Sequence, residues 1–132
     1  MKLSEYVVEA AKTANPNAHL WEHYVLGLGD EVGEIQKIFK RAVAYTQDGN
    51  VDYEVLHGKS KSGQPNRDLL VEELGDLMWF ISQLCRLYGI DPDAVLEANL
   101  RKLQGARYRQ GFSESDASNR DLGAEAKALA GK

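Results

Sequence analysis

The chain has one cysteine, Cys85, and three prolines in 132 residues. A lone thiol cannot close an internal disulfide, which excludes a disulfide-stapled scaffold and fits a reducing cytoplasm. There is no apolar run of the roughly 18 residues that a membrane span requires. Nor is there a basic start leading into an apolar stretch, as a secretory signal needs. Neither a membrane nor an exported protein is expected. An excess of base is also missing: 16 Lys and Arg stand against 20 Asp and Glu, a formal charge of −4. A nucleic-acid polymer calls for a basic face, so that partner is not expected either.

What is present suits one folded domain, with 43% hydrophobic residues available for a single core. Leu3, Tyr6, Val7, Ala10, Ala11 and Ala14 recur at helical spacing, with Ser4 as N-cap, and predict a helix over 4–14. Asn15-Pro16-Asn17 breaks it. Trp21, Val25, Leu28, Val32, Ile35, Phe39 and Ala42 alternate in steps of four and three, predicting a long helix over 18–44. Leu70, Leu74, Leu77, Ile81, Leu84 and Tyr88 repeat the pattern up to Gly89, which serves as C-cap. Asp91-Pro92 then opens a fourth helix containing Val95, Leu96, Leu100 and Leu103.

The expected architecture is all-α, a four-to-five-helix bundle occupying residues 1–112. An irregular or hairpin insertion at 46–66 interrupts it, where Val51, Tyr53 and Val55 alternate with polar residues. Residues 113–132 read as a polar, Ala-rich tail whose end is a frayed helix, a partner arm or disordered.

Charge placement says more than its sum. Asp30, Glu31 and Glu34 form one base-free cluster, and Asp68, Glu72, Glu73 and Asp76 form another. Glu31 and Glu34 share a helix face, as do Glu73 and Asp76, because each pair is three residues apart. Both pairs interleave with the apolar stripes, so facing stripes bring four carboxylates together. Unpaired, these repel, and a hard divalent cation such as Mg²⁺ or Mn²⁺ relieves them. Ordinary solvated acids would explain either pair alone. Against that stand the lack of interleaved bases and the helical glycines Gly29, Gly33 and Gly75 beside the acids.

Two other metal patterns are weaker. His19-Leu20-Trp21-Glu22-His23 matches a short zinc-protease motif, and Glu54-Val55-Leu56-His57 is a lone E-x-x-H where a di-iron bundle needs two. From Ala98 to Ser113 the charge bias reverses. Arg101, Lys102, Arg107 and Arg109 occur without an acid, and Asn99, Lys102, Arg107 and Tyr108 offer donors suited to a polyphosphate. A basic turn complementing the helix dipole is the simpler account of any one of them.

Asp30-Glu31-Val32-Gly33-Glu34 with Glu73-Leu74-Gly75-Asp76 resembles the E-E-x-x-E … E-x-x-D signature of MazG-like, all-α nucleoside triphosphate pyrophosphohydrolases. The likeness extends to LSEYVVEAAKTANP, EELGDLMWFISQLC and NLRKLQGARYRQGFS. The last is similar to the family's N-x-x-K-L-x-x-R-Y-x-x-G-F ending, with one extra residue before the Arg. The chain looks closest to short, single-domain bacterial and phage versions, which places it in the cytoplasm, the host's for a phage-encoded chain. It departs in carrying Asp30 for the first Glu and in the length of its Thr46–Asn66 insertion.

The resemblance implies hydrolysis of (d)NTPs at the α–β bond to monophosphate and pyrophosphate with Mg²⁺. Glu31, Glu34, Glu73 and Asp76 would be metal ligands, and Asp30 or Glu31 would orient or deprotonate water. Lys37, Lys40, Asn99, Lys102, Arg107 and Tyr108 would meet the phosphates and sugar, and Trp21 and His23 the base, with Trp79 a core residue more than a base contact. It also implies a homodimer or homotetramer. From a different class, a non-catalytic helical dimer binding nucleotides or a protein partner is the alternative.

Overall fold

A computed structural model of the chain describes residues 1–17, 21–44, 57–60 and 62–131, with 42–44 described by their backbone alone. Among these are six α-helices and one π-helical segment: α1 (Leu3–Ala11), α2 (Trp21–Ala44), α3 (Asn66–Tyr88), α4 (Pro92–Leu100), the π segment (Arg101–Arg107), α5 (Glu114–Ser118) and α6 (Leu122–Leu129). The all-α expectation holds. Most of the insertion, Val51, Tyr53 and Val55 included, lies outside the described residues. Its last part is a tight turn, with Lys59 bridging Pro65 and Gly63 at a left-handed φ of 87°.

The chain divides into two compact units, Val7–Tyr88 and Met1–Tyr6 with Gly89–Lys132. The sequence boundary expected after Phe112 falls inside the second.

In Val7–Tyr88 the long helices α2 and α3 pack antiparallel. Tyr24 meets Arg86, Gly27 meets Phe80 and Glu31 approaches Glu73, so rising numbers on one helix pair with falling numbers on the other. Gly27 is required for this approach. A Cβ there would lie 2.1 Å from the Phe80 ring, so the ring rests directly on the α2 backbone. Glycine costs about 1 kcal/mol in a helix, less than the burial of an aromatic ring returns.

The face of α2 turned to α3 therefore carries Tyr24, Gly27, Glu31 and Ile38, one seam round from the Trp21–Val25–Val32–Phe39 stripe. That stripe was expected to be core, yet Trp21, Val25, Val32 and Phe39 are all exposed, as is Leu74 on α3. Both seams have heptad spacing, and one partner helix covers only one of them.

The interior of this unit is partly polar and internally paired. Ser82 Oγ donates to the Trp79 carbonyl at 2.7 Å and accepts from Gln83 Nε2 at 3.1 Å. Arg86 donates to Gln83 Oε1 at 2.8 Å and to the Tyr24 hydroxyl at 3.4 Å. Trp79 Nε1 donates to Thr13 Oγ1 at 2.9 Å, tying the turn after α1 to α3.

The other unit is built from local caps. Asp91 accepts from the Asp93 N–H at 3.0 Å and Pro92 opens α4, as its sequence predicts. Ser113 caps α5 through Asp116 N–H at 3.0 Å, and Asp121 caps α6 through Ala124 N–H at 2.9 Å. Residues 113–131 are thus helical in two short pieces. At the other end Ser4 is not the N-cap of α1. The Lys2 carbonyl accepts the first helical bond, from Tyr6, and Glu5 reaches back to the Lys2 N–H at 2.9 Å. The Ser4 hydroxyl is free to donate to Asp93 instead.

Candidate functional site

Three of the four expected carboxylates converge. One oxygen each from Glu31 on α2 and Glu73 and Asp76 on α3 lie within 4.8 Å of one another. This is the one metal-sized group of His, Cys, Asp or Glu among the described residues. The antiparallel register makes it: Glu31 sits one turn beyond Gly27, and Glu73 and Asp76 one to two turns before Phe80. Burial raises the Glu73 carboxyl above its ordinary range. A hydrogen bond to Glu31 and the negative charges of Glu31, Glu72 and Glu34 push it further the same way. Two carboxyl groups that hydrogen-bond must hold a proton between them, so the cluster retains a proton in place of a cation.

Glu34 is not in this trio. Its carboxylate pairs with Lys37 one turn along α2, while its charge still reaches Glu73. Asp30 is exposed on the same helix, as is Lys40. Three half-exposed carboxylates on two helices offer only oxygen ligands, which fits a hard divalent cation. Gly29, Gly33 and Gly75 have nothing within 4 Å of where a Cβ would stand, so packing within the described chain does not account for them.

Beside the acids lies an aromatic cluster. His23 is exposed, with its ring 5.3 Å from Tyr24 and 5.9 Å from Phe80, and Phe80 meets Trp79 edge-on at 5.0 Å. Trp21 is half exposed at the start of α2. Trp79 is engaged by Thr13 and so serves packing. The zinc-protease pattern cannot be followed, because His19 lies outside the described residues, as does Glu54 of the di-iron pattern. Glu22 has one buried oxygen without a hydrogen-bond partner. It stands in the first turn of α2, where the helix dipole favours a negative charge.

The basic segment belongs to the unit that contains Gly89–Lys132. Asn99 is exposed on α4, and Lys102 is half buried in the π segment. Arg107 is engaged. Its Nε and Nη2 each donate to Glu125 at 2.8 Å, and Arg120 donates to the same carboxylate at 3.1 and 2.7 Å. Glu125 is 4% exposed. The bonds from Arg107 and then Arg120 hold its carboxyl far below the ordinary range. Tyr108 is half buried, 5.6 Å from the Phe112 ring. A cavity of about 390 Å³ opens beside this clamp, lined by Arg107, Arg109, Gln110, Asn119 and Arg120 with Asp116 and Asp121.

Sequence reasoning missed Glu125 and Arg120. The available signals were the cap residues Ser113 and Asp121, which mark helix starts in a stretch read as a tail.

Residues 21–112 match the profile of the MazG nucleotide pyrophosphohydrolase domain. That is most of the chain, which therefore belongs to this family of all-α nucleotide pyrophosphohydrolases. Among curated proteins, the Gene 37 protein of Mycobacterium phage L5 is 33% identical over 98 residues, 74% of this chain and 75% of that protein. No solved structure matches. None of the helices among the described residues is long and apolar enough to cross a membrane.

Proposed function

We propose that the protein hydrolyses nucleoside triphosphates, ribo- or deoxyribo-, between the α- and β-phosphates, in nucleotide-pool control or sanitation. The observation that carries this reading is the convergence of Glu31, Glu73 and Asp76 in a MazG-family chain.

These three, with Glu34 released from Lys37, are the residues to hold Mg²⁺, with Mn²⁺ as a substitute. A bound divalent cation supplies charge neutralisation at the phosphates and a lowered pKa for attacking water. Asp30 or Glu31 orients that water and takes its proton. The water oxygen bonds to the α-phosphorus, the bond to the bridging oxygen breaks, and pyrophosphate leaves with the electron pair. Lys37, Lys40, Asn99, Lys102 and Tyr108 are assigned to phosphates and sugar, and Trp21 and His23 to the base. Arg107 is left out of direct contact because Glu125 occupies it.

We also assign a homodimer or homotetramer. Val25, Leu26, Val32 and Phe39 on α2 and Val71, Leu74 and Met78 on α3 are all exposed. Gly29, Gly33 and Gly75 leave room for close approach. A second copy would account for both. Sedimentation velocity reading a monomer would refute it.

The activity is tested by incubating the chain with Mg²⁺ and a panel of (d)NTPs and measuring pyrophosphate release. No release with any nucleotide overturns the enzyme reading in favour of a non-catalytic helical binder. With release, Glu34→Gln and Glu73→Gln are each expected to abolish it with the helical circular dichroism spectrum intact.

A further inference from the structure

The π segment is held at both ends by α6. Arg101 Nε donates to the Ala128 carbonyl at 3.4 Å, and Arg107 is clamped by Glu125 through two 2.8 Å bonds. The segment needs such support. π-helical geometry is rare and seldom persists without external contacts, and this segment contains Gly105, a weak helix former. Between the two anchored arginines stands Lys102, half buried, with no hydrogen bond or ion pair among the described residues.

The Glu125 carboxylate accepts four N–H bonds from two guanidinium groups and so has no acceptor capacity left for Lys102. A buried ion triad is poor evidence of stabilisation by itself, since apolar residues of like volume commonly do as well. Specific placement of the elements it joins is a better reason for it. Both acid and second arginine lie beyond residue 112, where the family match ends.

We infer that Glu125 is a positioning residue for phosphate recognition: with Arg120 as its second arm it fixes Arg107, and α6 thereby holds the π segment so that Lys102 is presented to the polyphosphate. This rests on the phosphate role given to Lys102 above. It makes Arg107 a structural pin and gives the C-terminal helix a part in substrate affinity.

The test uses the full chain with Glu125→Gln, Glu125→Asp and Arg120→Ala. In steady-state pyrophosphate release, Glu125→Gln is expected to raise KM about tenfold with kcat within about twofold of wild type, and Glu125→Asp to recover part of the loss. Two further readings do not need turnover. Calorimetric affinity for inorganic tripolyphosphate is expected to fall with KM, and amide exchange over 101–108 to accelerate. Should Glu125→Gln fail to fold, Arg120→Ala, which leaves the Arg107–Glu125 pair in place, is expected to weaken tripolyphosphate binding about threefold. Folded variants with unchanged tripolyphosphate affinity and unchanged exchange overturn the inference, even if their thermal stability falls. A wild-type chain that binds tripolyphosphate but releases no pyrophosphate from any nucleotide defeats the enzymatic reading alone.

Discussion

Two groups of carboxylates in this protein meet opposite treatment. On α2 and α3, Glu31, Glu73 and Asp76 crowd together with no base among them, and Glu73 is pushed toward its neutral form. In the unit formed by the chain's two ends, Glu125 is more deeply buried yet held ionised, because two arginines saturate it. Burial alone does not decide whether an acid is content. The supply of partners does. An acid left short of partners on a rigid helix pair is poised for something from outside the chain, and one fully supplied from within is structural.

The contrast can be broken from either side. The largest effect expected is on catalysis: Glu73→Gln lowers pyrophosphate release by at least about a hundredfold, while its Tm without metal stays level or rises, since a repelling charge is gone. Glu125→Gln does the reverse to stability, lowering Tm clearly, because two guanidinium groups lose their shared counter-charge. A Glu73→Gln variant that unfolded more readily than Glu125→Gln would falsify the distinction.

Next comes Gly27→Ala, which drives a methyl into the Phe80 ring and is expected to cost about 2–3 kcal/mol in denaturant unfolding. Metal comes third. Mg²⁺ at about 100 times its Kd is expected to stabilise wild type by about 2.7 kcal/mol and to leave Glu73→Gln nearly unmoved. Equal shifts in both would place the cation elsewhere.

Acid separates the groups by sign. Glu73 has a raised pKa, so its penalty is present above that pKa and lifts as pH falls through it toward the ordinary 4.5. Glu125 has a lowered pKa, so its contribution is complete above 4.5 and is lost only as pH falls below that value. Thermal melts from neutral pH down to the ordinary carboxyl range should show a gain in wild type that Glu73→Gln lacks. Below that range wild type should show a loss that Glu125→Gln lacks. The smallest change belongs to the exposed Lys37–Glu34 pair: Lys37→Met is expected to move stability by less than about 1 kcal/mol.

Much of the helical frame was legible because its determinants are local. The heptad spacing of α2 and α3, Gly89 as a C-cap and Asp91-Pro92 as a start each need only a few neighbouring residues. The acid pairs were legible for the same reason. Which seam of α2 faces α3 was not, since both are apolar and only Gly27 against Phe80 selects one. The clamp was invisible because Glu125 finds Arg107 eighteen positions away, a pairing no periodicity encodes. Glu34 was misplaced into the cluster although Lys37, its partner, stands one turn along.

The π segment also settles a matter of length. A π turn closes over five residues where an α turn closes over four, and the Tyr108 N–H does so onto the Leu103 carbonyl at 2.7 Å. One more residue is thereby absorbed as a local widening, with the downstream chain left in place. The single residue by which NLRKLQGARYRQGFS exceeds the family's ending lies within this widened turn. An insertion that would have rotated Arg107 by about 100° round an unbroken α-helix has instead been taken up as girth.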